Sequence, residues 1–293
     1  MTRSTLALAF LSFAAVPFCA CVASDTPPQV QTYREVDGQT LAAHVFAPAD
    51  NDGETARPAI LLFHGGGWSV GSPTWTFSAA RRFAGHGMVA IAVQYRLADD
   101  QTTPIDAFAD VCAAFRWARS QATSLNLDTD RVVGYGVSAG GHLVSSTVTV
   151  GCPAVWEGAP AAEPNALLLW SPALDIARDG WFERKLLGRA PALDYSPLEH
   201  VGAATPPTSI VQGDADTLTP LAGAQAFCQR LREHDTCCDL NVYPGVGHLL
   251  TRNLEQQERD FDPDPDAVDN GIAQHLRFLR DVGYIDSASP AQE

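Results

Sequence analysis

The chemistry of this chain concentrates where the sequence runs VVGYGVSAGGHLV. Gly136, Val137, Ser138, Ala139 and Gly140 form a G-x-S-x-G string between an apolar run ending at Val137 and a helical pattern beginning at Ala139. A strand-to-helix turn that tight excludes bulk two residues either side of the serine and lifts its hydroxyl above the sheet. The helix that follows directs free N–H groups and its positive dipole end toward that hydroxyl. A serine at its ordinary pKa is a weak nucleophile. It needs a base within hydrogen-bond reach and a third group that orients the base.

Of the eight histidines, His248 in VYPGVGHLL has the best position, on a Gly-rich turn just past an apolar strand. Folds with parallel sheets gather their sites at that carboxyl end. His200 is the rival; His142 suits packing or a local cap, and His44, His86, His234 and His275 suit surface or packing roles. The orienting acid has two candidates in SIVQGDADTLTP, Asp214 and Asp216. Asp214 also suits a turn residue that bonds its own backbone.

A second string, LLFHGGGWSVGS, places three consecutive glycines directly after an apolar run. A flexible linker does not follow a buried strand in this way. Glycines there let backbone N–H groups approach a substrate without interfering Cβ atoms.

The elements that must position these groups alternate along the chain. Apolar, β-rich runs occupy 59–64, 88–95, 131–137, 166–170, 208–212 and 239–243, and helical spacing fills about 75–85, 104–120, 139–150, 219–233 and 269–281. Near-continuous apolar strands separated by helices predict a parallel sheet covered on both faces. Residues 29–46 alternate more and turn at Asp37-Gly38, which predicts an antiparallel hairpin at the sheet edge. The stretch 173–205 breaks the rhythm and is expected to form a lid or pocket wall.

HGGGW, GVSAGGHL, SPLEHV, PPTSIVQGDADTLTP and YPGVGHLL together resemble the α/β-hydrolase superfamily. More narrowly, they resemble its esterase and lipase branch, related to hormone-sensitive lipase and to bacterial feruloyl and acetyl esterases. The resemblance implies an α/β-hydrolase fold with a mostly parallel sheet of about eight strands, helices on both faces and a small lid. It also implies a cofactor-free serine hydrolase cleaving short-chain or carbohydrate-linked esters, with Ser138, Asp216 and His248 as its triad. Asp216 is preferred because the acid of such enzymes stands three residues after the strand-ending glycine, here Gly213. Gly66, Gly67 and Ala139 would donate to the oxyanion, and His64 would steady the loop from beneath. Gln212 stands where relatives often carry histidine, a change expected to be harmless. Trp68 either lines the pocket or covers the core edge; Trp181, in the insertion, is a second candidate for substrate binding. An amide hydrolase on the same triad and a non-catalytic binding protein on this scaffold are the alternatives.

Composition narrows the partners. A formal charge of -15, from 19 basic and 34 acidic residues, repels nucleic acid and anionic membrane surfaces. Residues 1–23 read as an export leader, with an apolar stretch from Leu6 to Val16 too short to span a membrane. Two outcomes follow: cleavage after Ala23, leaving one catalytic domain over 24–293, or lipid attachment at Cys21. Either places the protein in the periplasm or outside the cell. Beyond the leader lie five cysteines, an odd number, so one thiol stays free or pairs between chains. The plausible bridges are Cys112 to Cys152 and Cys228 to Cys237 or Cys238, although Cys112 also suits plain apolar filling. No metal site is expected. The carboxylates at 260, 262, 264 and 266 lack the glycine and closing glutamate of a calcium loop and read as a solvated acidic loop.

Overall fold

The computed structural model describes residues 27–51, 53–155 and 158–286. The leader and Cys21 therefore lie outside the described residues. Eight strands form one sheet in the order β1-β2-β4-β3-β5-β6-β7-β8. The hairpin β1 (Gln29–Val36) and β2 (Gln39–Phe46) runs antiparallel along one edge and joins β4 (Val89–Val93). From β4 onward the sheet is parallel, through β3 (Arg57–Phe63), β5 (Leu127–Val137), β6 (Ala166–Trp170), β7 (Thr208–Gly213) and β8 (Cys238–Tyr243). Strands β4, β6 and β7 are buried at every position, as expected where helices cover both faces.

One face packs on α1 (Phe77–Gly85) and α7 (Pro265–Asp281) through Phe83, Leu276 and Leu279. The other packs on α2 (Pro104–Ser120), the short α3 (Ala122–Leu125), α4 (Ala139–Ser146) and α6 (Leu221–Glu233), with Phe115, Leu143 and Phe227 inside. The hairpin and all six predicted strands form. Helix α4 ends at Ser146 and opens into a wider turn over Thr147–Gly151. Helix α7 starts at Pro265 rather than 269, because Asp264 caps it by accepting from the Ala267 N–H at 3.0 Å and proline suits a first helical turn.

The insertion 173–205 holds one short helix, α5 (Gly180–Lys185), and two single 3₁₀ turns. Asp179 caps α5 by accepting from the Trp181 N–H at 2.7 Å. Phe182 points inward and is fully buried.

Two disulfides tie helices to their surroundings, Cys112 to Cys152 and Cys228 to Cys238. Cys112 is thus bridged as well as buried. The pairing through Cys237 is corrected: that thiol is free and exposed. Successive strand residues face opposite ways, and Cys238, the first residue of β8, is the one turned toward Cys228 of α6.

Candidate active site

Parallel pairing brings the ends of β3, β5, β7 and β8 to one rim, where the chemistry-bearing residues meet. Phe63 pairs with Gly136 in register, so the glycine loop after β3 and the serine turn after β5 leave the sheet side by side. Gly65 approaches Ser138 closely; a Cβ on it would lie 3.2 Å from the Ser138 Cβ. Gly140 is required for the same contact, since a Cβ there would meet the Phe63 and His64 carbonyls at 2.3 and 2.5 Å.

Ser138 sits at φ 52°, ψ -115°, a strained conformation for a residue with a side chain. The Ser138 N–H donates to the Trp170 carbonyl at 2.9 Å, and its own carbonyl accepts from the His142 N–H at 3.1 Å. The neighbouring strand β6 and the helix after thus hold the strain in place. Its Oγ lies 3.0 Å from Nε2 of His248. On the ring's other side, Nδ1 lies 2.9 Å from Oδ2 of Asp216. A carboxylate facing Nδ1 fixes the proton there and leaves the Nε2 lone pair for the serine hydroxyl.

Asp216 is buried and amply supplied with donors. Oδ1 accepts from the N–H groups of Leu218 and Thr219 at 2.9 and 2.8 Å. Oδ2 also accepts from the Thr219 hydroxyl at 2.8 Å and from Gln212 Nε2 at 2.9 Å. Burial pushes the carboxyl pKa up, but the hydrogen bonds from His248 and Thr219 outweigh it and hold the group below its ordinary value. Asp214, the alternative acid, accepts from the Gly245 N–H at 2.7 Å and so holds the turn after β8, not its own turn.

Several supports escaped the sequence reading. Thr219 and Gln212 hold the acid. Gln257 accepts from the His248 N–H at 2.9 Å and the Thr217 N–H at 3.1 Å, and donates to the Ala215 carbonyl at 2.9 Å. One amide thereby fixes the acid loop and the histidine loop against each other. Thr219 and Gln212 lie within four residues of Asp216 but belong to no motif that marks them as its donors, whereas Gln257 reaches the acid loop from a segment that only the fold brings near.

Around this line the other candidates separate. His64 is buried with Nδ1 2.7 Å from the Gly65 carbonyl, stacked on Tyr95 at 4.4 Å. It supports the glycine loop from within. Gly66 and Gly67 take φ of 108° and 55°, and a Cβ on Gly66 would strike the Val70 carbonyl at 2.0 Å. Ala139 opens α4 beside them.

The pocket-lining option for Trp68 is corrected: the side chain is only 3% exposed, packed on Phe182 and donating from Nε1 to Nδ1 of His142 at 3.0 Å. Trp68 also takes a positive φ, 64°. His142 passes the connection on, donating from Nε2 to the Tyr195 carbonyl at 2.8 Å. Trp181, by contrast, is 54% exposed, with Nε1 3.5 Å from where a Gly67 Cβ would stand. His200 is distant in role, bonding the Leu193 carbonyl within the insertion.

In the acidic segment, Asp262 pairs with Arg252 at 2.7 Å, Asp264 caps α7, and Asp260 accepts from Asn253 at 3.0 Å. No group of three or more His, Cys, Asp or Glu among the described residues is placed to hold a metal. No helix among them is long and apolar enough to cross a membrane.

A doubly covered parallel sheet with a serine elbow, an acid loop and a histidine loop at one rim defines an α/β-hydrolase architecture. The sequence profile described as alpha/beta hydrolase fold matches residues 60–194. The structure superimposes on Est2, a thermophilic esterase from Thermogutta terrifontis, with a TM-score of 0.80 and 30% identity, covering 90% of this chain and 95% of that one. Est2 has also been solved with propionate bound. An ethyl acetate hydrolase of Pseudomonas putida is 29% identical over 243 residues, 74% of this chain and 73% of its own length. A Butyrivibrio fibrisolvens protein named endo-1,4-beta-xylanase B is 29% identical over 221 residues, and the matched region spans 34% of its length. The chain belongs to the α/β-hydrolase superfamily, in its esterase and lipase branch.

Proposed function

We propose that this protein is an exported serine carboxylic ester hydrolase that cleaves short-chain acyl esters through an acyl-enzyme on Ser138. The observation that carries the reading is the unbroken line from Ser138 Oγ to His248 Nε2 and from Nδ1 to Asp216. His248 takes the serine proton as Oγ attacks the ester carbonyl and returns it to the leaving alcohol. It then activates a water that releases the acid, while Asp216 holds the imidazole's tautomer and stabilises the imidazolium.

The oxyanion is assigned to backbone N–H groups of Gly66, Gly67 and Ala139, each donor contributing about 3 kcal/mol to the barrier reduction. The close approach of the glycine loop to Ser138 supports this assignment. Trp181 beside Gly67 and Phe261, whose ring lies 6.4 Å from that of His248, are exposed apolar surfaces suited to a small acyl chain. The ethyl acetate hydrolase and the propionate-bound esterase support an acyl group of that size. Residues 1–23 as a leader, with cleavage after Ala23 or lipidation at Cys21, agree with the two disulfides, which persist in oxidising compartments.

Turnover of p-nitrophenyl acetate and butyrate by wild type and Ser138→Ala tests the reading. Loss of at least 10³-fold is expected; a variant that retains the wild-type rate would overturn it. Adding acetyl-xylan, methyl ferulate and a matched anilide to the panel reads out the alcohol side and the preference for ester over amide.

A further inference from the structure

The chain has 19 basic residues, and 18 of them are arginine. Its one lysine, Lys185, stands at the last position of α5, on the rim of the glycine loop. The ammonium donates to the Ser69 hydroxyl and lies 4.2 Å from the centre of the Trp181 ring. Ser69 in turn bonds back to the loop, its N–H donating to the Gly66 carbonyl at 3.1 Å. The same Trp181 ring abuts Gly67. One cation therefore sits one side chain away from the proposed oxyanion donors.

The charge is uncompensated. Nine of the 17 described arginines pair with a carboxylate within 4.0 Å, whereas no described carboxylate pairs with Lys185. The side chain is half-buried. Burial, and secondarily the neighbouring Arg184, press its pKa below the ordinary lysine value. An ammonium has three donors. One goes to Ser69, the aromatic face takes another direction, and the remainder has no acceptor among the described residues. A partly exposed cation with no carboxylate paired to it leaves its charge free to attract an anion that arrives at the rim.

We infer that Lys185, with Trp181 as its floor, is a subsite for a carboxylate carried by the substrate. The favoured esters are then half-esters of short dicarboxylic acids or acyl esters of hydroxy acids. The molecule as a whole carries a formal charge of -15, but screening confines that field to about 8 Å at physiological ionic strength. The local cations Arg184 and Lys185 decide the sign at the mouth. The inference rests on the ester-hydrolase reading above and is tested so that the two fail separately.

The test compares kcat/KM within two matched pairs at physiological ionic strength, where the field of the whole molecule is screened. Monoethyl glutarate against ethyl valerate places the carboxylate on the acyl side; 3-acetoxypropionate against n-propyl acetate places it on the alcohol side. In one pair the anionic ester should match or exceed its neutral partner. Lys185→Met should lower that ratio at least tenfold, and Lys185→Arg should restore most of it. Ratios unchanged within twofold in both pairs would overturn the subsite while leaving the hydrolase intact. Failure of wild type to cleave either neutral ester would instead tell against the hydrolase reading.

A labelling measurement on the wild-type protein covers the case in which Lys185→Met does not fold. With a single lysine, acetic anhydride modifies one ε-amine, readily followed by peptide mass spectrometry. Glutarate should slow acetylation at Lys185 at least fivefold relative to sodium chloride of equal ionic strength. Equal rates would count against the subsite.

Discussion

At the residue scale, the distinctive feature of the site is how strongly its acid is held. Five donors converge on Asp216, and Thr219 supplies two of them, from its N–H and its hydroxyl. The same hydroxyl lies 3.1 Å from the Ser171 carbonyl and 3.1 Å from Nδ1 of His248. Thr219→Val keeps the shape and the backbone donor but deletes the hydroxyl. A hydrogen bond to a charged group contributes about 1.5 to 3 kcal/mol, so kcat should fall about 10- to 100-fold with little change in KM. Steady-state kinetics on p-nitrophenyl butyrate checks this, and an unchanged kcat would assign the acid's placement to the backbone alone. Ser138, Asp216 and His248 were legible because each stands at a strand end with a local turn signal. Gln257 was not, since a hydrogen bond between distant segments leaves no mark on spacing, and Thr219 and Gln212 were not, since a polar residue three or four places from an acid reads equally well as an ordinary turn residue. The two tryptophans illustrate the same limit. Trp68 and Trp181 look alike in sequence, yet one ring packs inside against His142 and Phe182 while the other stays at the rim.

At the element scale, hydrophobic patterning carried most of the architecture. The strands read clearly because burial on both faces leaves no room for polar residues, as in AILLF and ALLLW. Helix ends read less well. The early start of α7 depends on the Asp264 cap and Pro265, which the periodicity of its apolar face does not register. Cysteine pairing was legible down to the choice between adjacent residues, and that choice turned on which one faces α6. The Cys112 to Cys152 bridge closes 40 residues and the Cys228 to Cys238 bridge closes 10. On chain entropy these correspond to about 4 and about 3 kcal/mol. Cys112→Ala with Cys152→Ala should therefore lower the unfolding free energy by more than Cys228→Ala with Cys238→Ala. Urea denaturation of the two double variants, run oxidised, measures the difference. The reverse order would mean that strain or packing at α6, rather than loop length, dominates.

At the scale of the whole molecule, two buried histidines make the fold sensitive to acid. His142 and His275 lie inside opposite faces of the sheet, and burial lowers their pKa values from 6.5 to about 4 and about 3. In the folded protein both stay neutral at pH 5; in the unfolded chain both take up a proton below about 6.5. The unfolded state thus binds more protons over that interval, and stability falls as pH drops from about 6.5 toward 4. Each histidine contributes a slope of up to about 1.4 kcal/mol per pH unit. The two together should remove about 3 to 4 kcal/mol between pH 7 and pH 5. His142 adds a functional consequence, because its ring joins the glycine loop through Trp68 to the lid through Tyr195. A proton on Nδ1 displaces the Trp68 bond, so acid should loosen the loop and the lid together. His275 has no such role: Nδ1 meets the Ser209 hydroxyl at 3.0 Å and Nε2 has no partner. His275→Leu should therefore flatten the pH slope of the unfolding free energy between 7 and 5, with His142 and the buried His64 supplying much of the remainder, and leave the acid loss of activity through His142 in place. Urea titrations at half-unit pH steps give the slope directly. An unaltered slope in the variant would assign the acid sensitivity to other groups, the buried His64 first among them.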